Sequence, residues 1–151
     1  MMFKALKYRL WQVKQELKPR LCEKAWENAT ANLSPELKAA VEKHNITEKA
    51  HLLRVYEAIA KDSTFEESCK GLYLKLALVH DIGKTEMRLC LFFKVVKAFF
   101  NYDFAKHDIR GAKILRDLGC SEELAFLVEN HHNKNTKNEA LAKFQYYDNT
   151  L

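Results

Sequence analysis

The chain has 151 residues, 48% of them hydrophobic, with a formal charge of +5 and a pI near 9.0. That length favours one domain with a sizeable core, and only four Gly and two Pro argue against a sheet built from many tight turns. The basic balance suits an anionic substrate or nucleic acid, while Cys22, Cys69, Cys90 and Cys120 form no CxxC pair and read as reduced cytoplasmic thiols.

In chain order, Phe3, Leu6, Leu10, Val13 and Leu17 recur at helical spacing and predict an amphipathic helix ending near Pro19. Leu21, Cys22, Ala25, Trp26 and Ala29 predict a second, short helix. Ser34-Pro35-Glu36 is a start signal: a capping Ser, Pro in the first turn, and an acid at the positive end of the dipole. Thr47 is expected to cap a helix running to about Lys61, and Thr64 to Glu67 reads as a capping box. The helix it opens runs through Leu72, Leu76 and Val79 to about Gly83. Residues 86–100 predict another apolar-rich helix, and its most apolar part, Leu89 to Phe100, is interrupted by Lys94 and Lys97, too short and too charged to span a bilayer. Asp103 is expected to cap the next helix, closing at Gly119, and Ser121-Glu122-Glu123 opens another that ends near His131. Leu141 to Leu151 is the last helix, after an exposed loop from Lys134 to Glu139. The expectation is an all-α chain with no strand and no secretory signal. Residues 1–46 are an N-terminal helical extension packed on a core of residues 47–151.

The ionisable residues form an ordered series. His51 lies near the start of one helix, His80-Asp81 at the end of another, and His107 near the start of a third. His131-His132 ends a fourth, and Asp148 sits in the last. All lie within a turn or two of a helix end, where one pocket can gather them. His80-Asp81 follows the apolar run Leu76 to Val79, so the pair sits at the inner end of a core helix. A buried Asp is costly unless paired or bound to metal. His107 and Gly111 share a helix face, with the Gly expected to leave room for a ligand. His44 stands outside the series.

The order His, His-Asp, His, His-His, Asp resembles the HD-domain superfamily of metal-dependent phosphohydrolases, in its HDIG form. The matching strings are His51-Leu-Leu-Arg-Val, Val79-His80-Asp81-Ile82-Gly83-Lys84, His107-Asp-Ile-Arg-Gly111, Asn130-His131-His132 and Tyr147-Asp148-Asn149. The resemblance implies a helical bundle over residues 47–151 and a divalent transition metal, one or two ions. Iron or manganese is favoured, with cobalt, nickel or zinc as alternatives. It further implies His51, His80, Asp81 and Asp148 as ligands of the first ion, with Asp81 as the bridge. His107, His131 and His132 are the additional histidines of the binuclear subgroup. Lys84 is similar to a phosphate-holding residue, and the histidine not bound to metal is a candidate to protonate the leaving group. Asp81, Lys84, His107 and His132 are thus the candidate catalytic residues.

The implied reaction is hydrolysis of a phosphomonoester or phosphodiester, of a nucleotide, by a metal-activated hydroxide. The Gly-Tyr-Pro signature of cyclic-di-GMP phosphodiesterases is missing after His132, which argues against that activity. The alternatives are a non-catalytic nucleotide- or metal-binding module and a di-iron oxygenase on the same fold. The basic residues of the first helix, Lys4 to Arg20, interleave with its apolar stripe, so nucleic-acid binding has no strong signal. Oligomeric state is left open.

Overall fold

The computed structural model describes residues 20–85 and 107–151. Among these the elements are α1 (Glu23–Thr30), α2 (Pro35–Val41), α3 (Ile46–Lys61), α4 (Glu67–Val79) and a 3-10 turn (Ile82–Lys84). Then come α5 (His107–Asp117), α6 (Glu122–Asn130) and α7 (Glu139–Thr150). No strand occurs among the described residues, and none of their helices is long and apolar enough to cross a membrane. The expected helices over Phe3–Leu17 and residues 86–100, and the Asp103 cap, lie outside the described residues.

Several helix starts follow directly from local chemistry. Ser34 Oγ accepts from Leu37 N, with Pro35 opening α2. Ser121 Oγ accepts from Leu124 N at α6, and Asn138 Oδ1 accepts from Leu141 N at α7. These bonds satisfy amide donors that a helix cannot satisfy internally.

Two expected caps are placed differently. Asn45, not Thr47, caps α3: its Oδ1 accepts from Glu48 N while Glu48 Oε2 accepts from Asn45 N. The acid three residues on completes this reciprocal box for Asn45 and not for Thr47. Thr64 has an acid three residues on, yet it caps nothing. Asp62 Oδ1 accepts from both Thr64 N and Thr64 Oγ1, and the hydroxyl oxygen accepts from Lys143 Nζ in place of a helix amide. Glu66 then takes the cap position of α4 without a side-chain bond. Helix α4 also stops earlier than Gly83, at Val79, and the chain tightens into the 3-10 turn.

One buried cluster unites the bundle. Leu52, Val55 and Ile59 of α3 meet Leu76 and Val79 of α4, Leu115 of α5, Leu124 and Val128 of α6, and Phe144 of α7. Trp26, Leu37 and Val41 of α1 and α2 belong to the same cluster. Helix α5 packs on α6 and on the 3-10 turn, while α3 packs on α4 and α7. Fully burying an aliphatic side chain of this kind contributes about 1.5–3 kcal/mol, so the helix ends are held by a core and not by loops.

The crossing of α5 and the 3-10 turn depends on two glycines. A Cβ on Gly83 would stand 1.9 Å from His107 O and 2.8 Å from Gly111 N. A Cβ on Gly111 would stand 3.0 Å from Val128 Cγ1 and 3.3 Å from Gly83 N. Gly111 therefore makes room for neighbouring backbone and side chain, where the sequence suggested room for a ligand. This close approach sets His107 beside Asp81.

Candidate metal centre

Ends of five helices converge on one buried cluster. His51, in the second turn of α3, has Nε2 at 3.0 Å from Asp148 Oδ1. The same Asp148 oxygen, from the last turn of α7, is 3.1 Å from His80 Nε2. His80 follows the apolar end of α4 and is fully buried. Asp81 comes next, with Oδ2 at 3.7 Å from His80 Nε2 and 2.6 Å from Lys84 Nζ. Its other oxygen, Oδ1, faces the opposite way, 3.6 Å from His107 Nε2. His107 opens α5, and its Nε2 is 3.1 Å from His132 Nε2.

His80 and His131 are held in the same manner. Each caps the C-terminus of its helix, and each donates Nδ1–H to the carbonyl three residues back, Ala77 O and Val128 O. A carbonyl only accepts, so Nδ1 carries a proton in each ring and Nε2 is the atom left to face inward. Carbonyls of a last helical turn have no partner within the helix, and here they orient two imidazoles. Phe144 braces His80 from behind, edge to ring, at a centroid distance of 5.3 Å.

The chemistry of the inward atoms tests whether a metal fits. His80 Nε2, Asp81 Oδ1 and His131 Nε2 are all buried without a hydrogen-bond partner. An unsatisfied buried polar atom costs about 1–3 kcal/mol, and three in one place need a common partner. One ligand atom each from His51, His80 and Asp81 lies within 4.8 Å of the others, and the same holds for His107, His131 and His132. Asp81 stands between these groups with one oxygen toward each. Imidazole nitrogens with carboxylate oxygens form a donor set suited to first-row transition metals. Nδ1–H bonds to backbone carbonyls are the usual support for ligating histidines. The residues fit a divalent metal centre.

Electrostatics sharpen the division of roles. Burial disfavours ionised Asp81 and Asp148, yet neighbouring charge outweighs it and holds both carboxyls well below their usual range. For Asp81 the main opposing charge is Lys84, and for Asp148 it is His80. Burial likewise lowers His80, but Asp81 and Asp148 overcome this and raise its pKa. At His131 burial, with His80 and His132 beside it, outweighs Asp81 and the Val128 carbonyl and pushes the pKa down to about 3. Burial also lowers His132, the outermost of the group and exposed.

Every site residue expected from sequence lies in this cluster. His44 does not join them; it is buried, with Nδ1 at 3.2 Å from Glu48 Oε2. Sequence reading missed the supporting groups: the Ala77 and Val128 carbonyls, the Phe144 ring and the Gly83 backbone. The carbonyls carried a readable signal, since a His just past a helix end can reach the carbonyl three residues back. Phe144 carried none beyond an apolar helix position.

Residues 49–147 match the HD domain family, and the chain belongs to that family. The matched span includes His51 through His132 and ends one residue before Asp148. No curated protein and no solved structure matches the chain.

Proposed function

We propose that this protein is a binuclear phosphohydrolase that cleaves a phosphomonoester or phosphodiester of a nucleotide. The observation that carries this reading is the placement of Asp81. Its two oxygens face separate groups of ligand atoms, His51 and His80 with Asp148 on one side, and His107, His131 and His132 on the other. His51, His80, Asp81 and Asp148 would hold the first ion; Asp81, His107 and His131, with His132 at the rim, would hold the second. Iron or manganese suits this mixture of nitrogen and oxygen donors. When bound, the metal pair supplies Lewis acidity toward phosphoryl oxygens and lowers the pKa of water toward about 7.

The remaining work falls to the chain. His80 and His131, locked by their carbonyl bonds, present their Nε2 atoms without reorganisation, which is the advantage of a preorganised polar site. Asp81 and Asp148 remain ionised and bring two negative charges into the pocket. Lys84, at the lip with its side chain 34% exposed, supplies a mobile cation for the phosphoryl oxygens. His132 is exposed and its pKa is lowered, so at neutral pH it meets substrate as a neutral imidazole that can accept or donate a hydrogen bond. The excess of basic residues favours approach of a polyanion such as a nucleotide.

The test is a panel of nucleoside monophosphates, cyclic nucleotides and dinucleoside polyphosphates, each incubated with protein loaded with Mn2+ or, anaerobically, Fe2+. The expected result is turnover of at least one nucleotide ester, abolished in Asp81→Asn. Tight nucleotide binding with no turnover under any metal would contradict the reading and leave a binding module.

A further inference from the structure

The Lys84 ammonium and His80 meet at the same Asp81 oxygen. The Lys84 ammonium is 2.6 Å from Asp81 Oδ2, the oxygen that faces His80 Nε2 at 3.7 Å. The other Asp81 oxygen has no hydrogen-bond partner and faces His107. The cluster brings together two carboxylates, and the ammonium that touches one of them rises from the 3-10 turn at the pocket lip. The Lys84 side chain is 34% exposed while that of Asp81 is 8% exposed. A four-carbon stem with its head inside and its flank in solvent can swing outward without disturbing the fold. Two cations at one buried oxygen repel, and their repulsion is weakened far less there than in water.

We propose that Lys84 is a built-in placeholder: in the metal-free site its ammonium occupies the position beside Asp81 Oδ2 that the first metal ion must take. Entry of the ion and release of Lys84 are then a single exchange. The exchange keeps the buried carboxylates neutralised before the metal arrives. It also frees the Lys84 cation, at the moment the site becomes competent, to meet a phosphoryl group. That last link rests on the function proposed above, while the exchange itself does not. It also orders the events: metal first, phosphate second.

Two measurements on the full chain decide this. The first is Mn2+ affinity of chelator-stripped protein, by titration calorimetry, for wild type, Lys84→Met, Lys84→Gln and Lys84→Arg. Loss of the competing charge should tighten Mn2+ binding about ten-fold or more in the Met and Gln variants, a gain of about 1.4 kcal/mol. The Arg variant should stay near wild type. The second uses wild type alone, so it does not depend on a variant folding. The acetylation rate of Lys84 by an amine-reactive reagent, read by mass spectrometry, should rise several-fold when Mn2+ saturates the protein.

Equal or weaker Mn2+ binding in both neutral variants would overturn the proposal and make Lys84 a fixed support for Asp81. An acetylation rate that does not rise with Mn2+ would overturn it equally. Inorganic phosphate added to the Mn2+-saturated protein should then slow acetylation again. Failure of that step alone would count against the phosphohydrolase reading and leave the exchange intact.

Discussion

His51 Nε2 and Asp148 Oδ1 meet at 3.0 Å although 97 residues separate them. The contact ties the second turn of α3 to the last turn of α7, two helices that pack on each other. Asp148 reaches His51 and His80 only because α7 runs far enough to deliver it, and the proposed function makes it a ligand of the first ion. Asp148→Asn should therefore weaken binding of the first ion by more than about ten-fold, or about 1.4 kcal/mol. Competition against a chelating indicator dye would measure this. Unchanged affinity would remove Asp148 from the ligand set.

Two glycines make opposite predictions. A Cβ at Gly83 would collide with the His107 backbone at 1.9 Å, and backbone cannot give way as a side-chain tip can. Gly83→Ala should destabilise the fold by about 3 kcal/mol, at the upper end of ordinary overpacking. It should also push His107 away from Asp81 and so reduce metal bound per chain. Gly71 lies inside α4, and an added methyl there would meet nothing within 4 Å. Gly71→Ala should stabilise by about 0.5–1 kcal/mol through helix propensity. Thermal unfolding of both variants checks the pair, and equal effects would contradict the crossing geometry.

Acid should loosen the metal-free protein through His131. The folded chain refuses a proton there until pH falls to about 3, while the unfolded chain accepts one at the ordinary histidine value near 6.5. The unfolded state binds more protons throughout that window, so stability falls as pH drops below about 6.5 and levels off near 3. Above 6.5 both states are neutral at this group and it contributes no pH dependence. His80 has the opposite sign, because its raised pKa stabilises the fold below about 6.5 and that contribution fades as pH rises. Replacing His131 by Leu isolates the first effect. The loss of Tm between pH 7 and pH 4 should be smaller in His131→Leu than in wild type. An equal loss in both would show that the buried imidazole is not the sensitive group.

The raised pKa of His80 has a second consequence. A ligating imidazole carries no proton on Nε2, so a histidine whose pKa is raised holds its second proton to higher pH and must release it on metal binding. Mn2+ affinity should increase with pH above about 6.5, with protons released into the buffer. Calorimetry in buffers of different ionisation enthalpy would count them. A pH-independent affinity with no release would mean that His80 is neutral before metal arrives or is not a ligand.

Much of this centre was legible in the sequence because its ligands sit at helix ends, and helix ends carry local signals. Ser34, Ser121 and the apolar run before His80 were readable from a few residues each. The errors also have local causes. At Thr64 the spacing of a capping box was present, but the hydroxyl donates to Asp62 and accepts from Lys143 in place of a helix amide. At α3 the true box began two residues earlier, at Asn45. Gly111 was harder, because whether a glycine admits a ligand or a neighbouring backbone depends on what crosses it. The two-sided use of Asp81 was implied only by resemblance. Its geometry follows from the Gly83–His107 approach, a tertiary contact that no residue spacing announces.

The central claim is that the ligand groups around Asp81 take up two metal ions. Metal content per chain, measured on protein purified anaerobically without a metal-affinity tag, tests it most directly. Wild type should carry about two equivalents of iron or manganese, falling to about one or fewer in Asp81→Asn, whose side chain is a poorer bridge. Less than one equivalent in wild type, unchanged after reloading with each candidate metal, would contradict it.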